Sequence, residues 1–410
     1  MRGLSVFIAS ITLTIGCAYK TIKTEHGTRF KRAQIPKTIH DDLDLYGLRV
    51  NLKQTIESLN KAPREIMAFG PYEYSKGFYA NKLGVLMSAI DKDPTSELFY
   101  KTLREEFDLL EVHTGEGWGK VFITSYYSPV IRGAVKPKGK FTEPLYALPE
   151  DSVFVNLNAY ADAVPALRRA IDEKPDLFPR GRLWRGRLNQ NKDKTEIVPY
   201  YSRQEIYELS LKKRMRAKVL AYVDPIDAFF LQIQGSGTVI IDKKTKIDLS
   251  YAGQNGWPYY SIGAALKDII PLSEISQQTI EAYLRSVDKK ERERILSLNP
   301  SYIFFDKNKG EPKTFMGTKP VPGRTIATDS AFYPKGALAL LEYPELNDHG
   351  GGLLKHGGKT RARFVLDQDT GGAIKGPARV DLYWGRNDWA KIVAGQMKGH
   401  GTLMYFVPKL

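Results

Sequence analysis

The 410-residue sequence is 42% hydrophobic, 26% charged and 11% aromatic, which excludes wholesale disorder and leaves room for two or three domains with cores of their own. A single cysteine, Cys17, excludes an intramolecular disulfide framework and any multi-cysteine metal centre, and six scattered histidines include no HExxH or HxH pair. The net charge of +15 favours anionic polymers or surfaces and leaves nucleic acid, acidic lipid headgroups and an acidic cell-wall polymer open, although lysines such as those of VKPKGK also serve simply to solvate loops.

The chain opens with Arg2 and an apolar run from Leu4 to Ile15 that ends at Gly16-Cys17. The run is too short to span a bilayer and reads as a secretory signal over residues 1–16. A small residue before the lone cysteine resembles a bacterial lipoprotein processing site, with lipid carried on the sulfur and the new amino group of Cys17. Thr14 departs from the leucine usual there, and an ordinary first strand with an incidental cysteine is the competing reading. A lipidated Cys17 is an anchor, followed to residue 40 by a polar, basic stretch that reads as a tether. Ala18 in place of aspartate after Cys17 points, by the lipoprotein sorting rule, to the periplasmic side of the outer membrane.

Helical spacing follows, with Leu52, Ile56 and Leu59, then Leu83, Leu86 and Ile90, and the pattern continues through SELFYKTLREEFDLLEV. From Gly119 the period changes, and VFITSYYSPVI is β-branched and aromatic. Between 130 and 250 short apolar runs alternate with turns. Here KVLAYV, and DAFFLQIQG followed by TVIID, are expected as hairpin or barrel strands of a small β domain. Helices are expected again from Ser261 to Ile269, in SEISQQTIEAYLRS and in KKERERILSL, until Asn299-Pro300 ends them. TIATD, ALALLEY, RARFVLDQDTGGAIKG, RVDLYWG and TLMYFVP then read as strands and turns.

Several of these segments concentrate groups that can do chemistry. In DTGGAIKG, Gly371 and Gly372 permit a close approach of ligand to backbone, with Asp369 at the strand end and Lys375 nearby; a Gly-Gly turn capped by an aspartate describes it equally well. Asp381 opens DLYWG, where burial beside Tyr383 and Trp384 would raise its pKa toward that of a general acid, against the plainer reading of an exposed aspartate at a strand start. LQIQGSG and YAGQNGWPYYSIG combine amides, small residues and aromatics with little charge, a mixture that suits sugar rings, hydroxyls and acetamido groups. Nucleic-acid stacking normally interleaves Lys or Arg with such aromatics, and here they are nearly absent.

VFITSYYSPVI, LQIQGSG, YAGQNG, NPSYIFF, GRTIATD, DTGGAIKG and RVDLYWG, in that order over about 120 to 390, resemble the membrane-bound lytic murein transglycosylase A family. The segment before 115 has no match, and GGLLKHGGKT departs from the pattern. The resemblance implies a mainly β fold with α-helical segments: a double-psi β-barrel lobe from 41–129 plus 251–410, and an inserted smaller β-barrel lobe at 130–250. It makes Asp381 the essential acid and places Asp369 and Asp329 as the two other aspartates of the site. Thr124, Tyr126, Tyr127, Gln234, Ser236, Tyr251 and Asn255 match groove positions for glycan, with Lys375 beside them, and Ser125 replaces a glycine frequent in the family.

The implied reaction cuts the bond between MurNAc and GlcNAc with the substrate's own C6 hydroxyl as nucleophile, so one carboxyl suffices where glycosidases generally need two. No metal or organic cofactor is implied. The expected partners are peptidoglycan glycan strands and, through the lipid, a membrane, with cell-wall synthesis or division proteins as further candidates and no nucleic acid. The competing readings are a catalytically silent peptidoglycan-binding lipoprotein, a water-using muramidase and a basic nucleic-acid binder.

Overall fold

The computed structural model describes residues 22–23, 29–37, 39–93, 96–174, 183–190, 194–211, 215–308, 310–349, 354–372 and 374–409; the expected signal segment 1–16 and Cys17 lie outside them. Strand Lys120–Tyr126 buries Val121, Ile123 and Ser125 and turns Phe122, Thr124 and Tyr126 the other way, as a strand with one face on a core must. It closes a six-stranded ring. The order is Lys120–Tyr126, Arg379–Tyr383, Thr325–Thr328, Leu354–Asp369, Ala337–Asp348, Lys398–Pro408 and back to Lys120–Tyr126. Two neighbouring pairs are parallel, Lys120–Tyr126 with Arg379–Tyr383 and Thr325–Thr328 with Leu354–Asp369. Closure leaves no open edge within the ring.

Helices Leu45–Leu59 and Lys76–Lys92 start where Asp44 and Ser75 accept from the backbone N–H groups of Tyr46 (3.0 Å) and Phe78 (3.2 Å). Their apolar faces place Leu48, Leu52, Leu83 and Leu86 in one core with Leu338, Phe364, Val365 and Phe406, all fully buried, and each such side chain contributes about 1.5–3 kcal/mol by burial. Tyr79 ties helix to ring, donating to the Phe406 carbonyl at 2.8 Å and accepting from Leu338 N at 3.0 Å. Just before the first helix, Arg324 pairs with Asp41 (2.5 Å) and Arg363 grips both oxygens of Asp42 (2.7 and 2.6 Å). These buried forks dock residues 41–44 on the ring.

Three local expectations change. The stretch expected as a tether enters the main sheet: Arg29–Ala33 pairs with Phe107–His113, Phe30 is buried, and Arg32 donates to Asp108 (3.1 Å) and the Tyr74 hydroxyl (2.8 Å). One buried apolar residue among basic ones left little pattern to read. Helix Glu97–Glu106 stops short, and FDLLEVH becomes strand Phe107–His113 because ladders wait on both its sides, from Arg29–Ala33 and from Lys398–Pro408. DAFFLQIQ, expected as a strand, is helix Pro225–Gln234. Asp224 caps it, accepting from Ile226 N at 3.0 Å, Pro225 takes the first turn, and Gly235 ends it at φ +76°.

A second sheet of six strands runs Ile303–Asn308, Lys246–Gln254, Gly237–Ile240, Val130–Ala134, Val219–Val223, Glu143–Tyr146. The expected boundary between 250 and 251 falls inside strand Lys246–Gln254, whose partner Ile303–Asn308 belongs to the same sheet. Its edge strands are not paired among the described residues, so the hydrogen-bonded sheet is open where a closed smaller barrel was expected, although the Tyr302 hydroxyl reaches the Pro144 carbonyl at 3.3 Å. Helices Pro225–Gln234, Gln277–Ser286 and Lys289–Ser297 share a core of Phe229, Phe230, Ile280, Leu284 and Ile295 beside it. The chain enters this region through Tyr127-Ser128-Pro129 and returns to the ring at Thr325.

Candidate active site

Strand register places Thr124, Asp381 and Asp369 in a line. Asp381 pairs with Thr124 on one side and with Ala327 on the other, and Ala327 pairs with Asp369. Paired residues project from the same face of a sheet, so Thr124, Asp381, Ala327 and Asp369 form one row across four ring strands. The alignment depends on a bulge. Ile326 pairs with Asp367, but the next residue, Ala327, pairs with Asp369, so Gln368 is extra; regular pairing would have set Gln368 in the row.

The two carboxyls of the row are held differently. Asp369 accepts from Phe315 N (3.0 Å) and Thr370 N (2.9 Å) on Oδ1 and from the Tyr126 hydroxyl (3.0 Å) on Oδ2. Both its oxygens are engaged. Asp381 accepts from Thr124 on Oδ1 alone, and the same Thr124 hydroxyl receives a hydrogen bond from Arg379 at 2.8 Å. The Arg379 guanidinium stands 3.7 Å from Asp381 Oδ1. Oδ2 of Asp381 meets no described donor, and the side chain is 17% exposed. Burial raises the pKa of Asp381, with the Asp369 charge adding to the rise and Arg379 and Thr124 opposing it. Burial likewise raises Asp369, against its backbone N–H bonds and Tyr126. Tyr126 is raised far above the ordinary phenol range by burial and by Asp369, so it stays a hydrogen-bond donor; its ring lies 5.1 Å from that of Tyr383.

Asp329, the third aspartate, does another job. It is fully buried, with Oδ1 accepting from Ala331 N (3.1 Å) and Oδ2 from Gly376 N (2.8 Å). It thereby fastens the far end of the DTGGAIKG loop, where Gly376 takes a φ of +81° that suits glycine. Lys375, beside it, is exposed.

The remaining expected groove residues separate. Tyr127 N donates to Gln234 Oε1 (3.2 Å) and the Tyr127 hydroxyl accepts from Gln277 (3.1 Å), so Tyr127 and Gln234 lock the junction of ring and second sheet, with Ser236 half-buried close by in sequence. Asn255 is 1% exposed and its amide is bonded at both ends, to the Tyr201 and Pro300 carbonyls (2.8 Å each) and from Tyr302 N (2.9 Å), which fits a loop brace better than a sugar contact. Tyr251 is 47% exposed and accepts from Arg185 at 2.7 Å, on the strand after the junction. Ser125, where the family often has glycine, points into the ring interior and so does not narrow the face that carries Asp381.

Sequence reasoning missed Arg379, Phe315 and Arg386. Arg379 sits two residues from Asp381 on the same strand face, a spacing that could have flagged it. Phe315 is 65% exposed beside Asp369, an open ring next to a carboxylate, in a turn-rich stretch with no pattern. Arg386 leaves the end of the Asp381 strand to reach Glu311 (2.7 Å) and the Thr238 hydroxyl of the second sheet. A cavity of about 370 Å³ opens at that junction between Ser128, Tyr383, Arg386 and Glu311.

Residues 122–306 match the family model described as the MltA specific insert domain, and residues 324–407 match the 3D domain. A relative, membrane-bound lytic murein transglycosylase A of Escherichia coli (strain K12), is 26% identical over 401 residues, 96% of this chain and 92% of the relative. The solved membrane-bound lytic murein transglycosylase from Agrobacterium tumefaciens has the same fold, with a TM-score of 0.69 at 22% identity over 92% of this chain and 97% of that one. Escherichia coli MltA with bound chitohexaose is also similar in fold, with a TM-score of 0.66 at 22% identity over 93% of this chain and 95% of that one.

Proposed function

This chain belongs to the MltA family of membrane-bound lytic murein transglycosylases, and from that premise we propose that it cuts peptidoglycan with Asp381 as its only acid and base. The chain is a lytic murein transglycosylase; the roles of its residues are the proposal. The observation that carries it is the difference within the row: Asp369 has both oxygens engaged, whereas Asp381 keeps Oδ2 open on a side chain whose protonated form burial favours. Protonated Asp381 gives its proton to the glycosidic oxygen as the bond from MurNAc C1 to that oxygen breaks. The C6 hydroxyl of the same MurNAc bonds to C1 and passes its proton to the Asp381 carboxylate, which restores the acid and leaves a 1,6-anhydro ring. No water enters the balance.

Thr124 and Arg379 position Asp381, while Asp369 holds Tyr126 and the Phe315 backbone as a wall of the site. Asp329 positions the loop that ends at Gly376. Tyr127, Gln234, Ser236 and Lys375 belong in the proposed glycan path, with Phe315 added as a stacking face and Tyr251 at its outer reach. One relative structure holds chitohexaose, which supports a glycan along this face. The two parallel pairs of the closed ring support a double-psi barrel, and the second sheet supports an insert running from 130 to 308, longer than the 130–250 expected. Export, lipid on Cys17 and attachment at the outer membrane complete the reading, in keeping with the membrane-bound relatives; radiolabelled palmitate incorporated by the natural protein but not by Cys17→Ser checks the anchor.

Mass spectrometry of fragments released from purified peptidoglycan tests the reaction. Products ending in 1,6-anhydroMurNAc are expected. Ends one water heavier would mean a muramidase, and sacculus binding without release would mean a silent binding lipoprotein.

A further inference from the structure

A cavity of about 430 Å³ lies wholly within the 140–302 span and receives no side chain from the ring. Its floor is apolar, from Ile226, Phe229, Leu296 and the Tyr302 ring, and two ionisable side chains line it with hydrogen-bonding capacity left unused among the described residues. Arg203 is 8% exposed; its Nε donates to the Asn299 carbonyl (3.0 Å) and one Nη to the Ser301 carbonyl (2.6 Å), while the other Nη has no acceptor among the described residues. The rings of Phe229 and Tyr302, 4.8 and 5.2 Å away, hold the guanidinium in place. Glu143 has neither a hydrogen bond nor an ion pair within 4.0 Å among the described residues. Burial pushes its carboxyl up to about 7, with Arg203 opposing the rise.

The neighbouring charges satisfy one another, Arg285 with Asp224 (3.4 Å), Lys289 with Glu293 (3.5 Å), and the Tyr207 hydroxyl with Glu293. What is left is one Nη of the buried Arg203 and the half-buried Glu143 carboxyl in one cavity, with Lys140 and Arg292 also lining it, and Arg203 and Glu143 are near enough to influence each other and too far apart to pair. Charged groups drawn partly out of water and short of partners favour a ligand with opposite ends, which satisfies both at once.

We propose that this cavity binds a short peptide bearing a free amine and a free carboxylate, the amine on Glu143 and the carboxylate on Arg203, with Lys140 and Arg292 taking further carboxylate at the rim. In murein that chemistry belongs to the stem peptides and not to the glycan, so the inference deepens the transglycosylase reading: the insert reads peptide substitution while the ring cuts sugar.

Calorimetric titration of the protein with the free stem tripeptide L-Ala-γ-D-Glu-meso-diaminopimelate, and with the same peptide acetylated on its amines, tests this. The free peptide binds, acetylation weakens binding by about tenfold or more, and Glu143→Gln does the same, as loss of one charge-assisted contact predicts. Arg292→Ala, at the partly exposed rim and so no threat to folding, weakens binding severalfold. Glu143→Gln leaves cleavage of peptide-free glycan unchanged. An unbound free peptide, equal binding of the acetylated one, or indifference to Glu143→Gln would each overturn the proposal. Failure of the transglycosylase reading would instead appear as products lacking anhydro ends, whatever the calorimetry shows.

Discussion

Two adjacent rows of the same barrel wall each carry a carboxyl that burial raises, and only one is placed to do chemistry. The interior row runs Ser125, Leu382, Ile326, Asp367, Ala337, all 8% exposed or less. Its Asp367 receives the Lys335 ammonium (2.7 Å) and the Thr328 hydroxyl (2.5 Å), and the Tyr405 hydroxyl comes in at 2.8 Å. The outer row holds Asp381, with one oxygen bonded and the other open. Burial dominates at both residues. A raised pKa therefore does not separate a strut from an acid; an unmet oxygen with access to solvent does.

Substitution at each carboxyl's setting tests that distinction. Asp381→Asn keeps the fold and the proposed binding of glycan but lowers product release by about 10²- to 10⁴-fold, the usual contribution of a general acid and base. An Asp381→Asn protein that still cleaves purified peptidoglycan would remove Asp381 from the mechanism. Lys335→Met acts on stability instead. It strands Asp367 in a dry interior and costs about 3–5 kcal/mol, read as a fall in the urea midpoint, and adding Asp367→Leu recovers most of the loss. If Lys335→Met left the midpoint unchanged, the interior pair would not be the strut described.

The third test concerns what tunes Asp381. Arg379 lowers its pKa, so Arg379→Gln raises it. Because the first step needs the protonated acid, a higher pKa keeps that form populated to higher pH, and the alkaline limb of the rate–pH profile moves upward. A limb that stays in place or moves down would show that Arg379 does not act on Asp381 through its charge.

Much of the outer row was legible because its residues lie in motifs that fold as neighbouring strands: register sets Thr124 beside Asp381 on one face, Tyr126 bonds Asp369, and Tyr127 touches Gln234. The bulge at Gln368 was not legible, since nothing in LDQDTGG says which of its polar residues the parallel neighbour will skip. Asn255 shows a second limit. An amide in a Gly-rich loop looks the same whether it meets a sugar or, as here, three backbone groups. In DAFFLQIQ the β-favouring phenylalanines and isoleucine outweighed Asp224-Pro225 and Gly235 in the reading, yet the start and stop signals decided the structure. The cavity around Arg203 and Glu143 assembles residues 60 positions apart and left no local trace.

Ser125 gives the smallest expected effect and the sharpest contrast between the rows. Its neighbour Thr124 faces outward and bonds Asp381, whereas the Ser125 hydroxyl is buried in the interior row with no partner among the described residues. Strand alternation alone separates them, so one residue's hydroxyl orients the acid and the next one's is a buried group left unsatisfied. Ser125→Ala removes the hydroxyl without opening a sizeable void and stabilises the protein by about 1 kcal/mol, with the cleavage rate unchanged. Thr124→Val, the matching change one residue earlier, lowers the rate instead. A rate loss in Ser125→Ala equal to that in Thr124→Val would mean that the face assigned to the active site had been misjudged, since a side chain directed into the ring has no route to the glycan except through the strand itself.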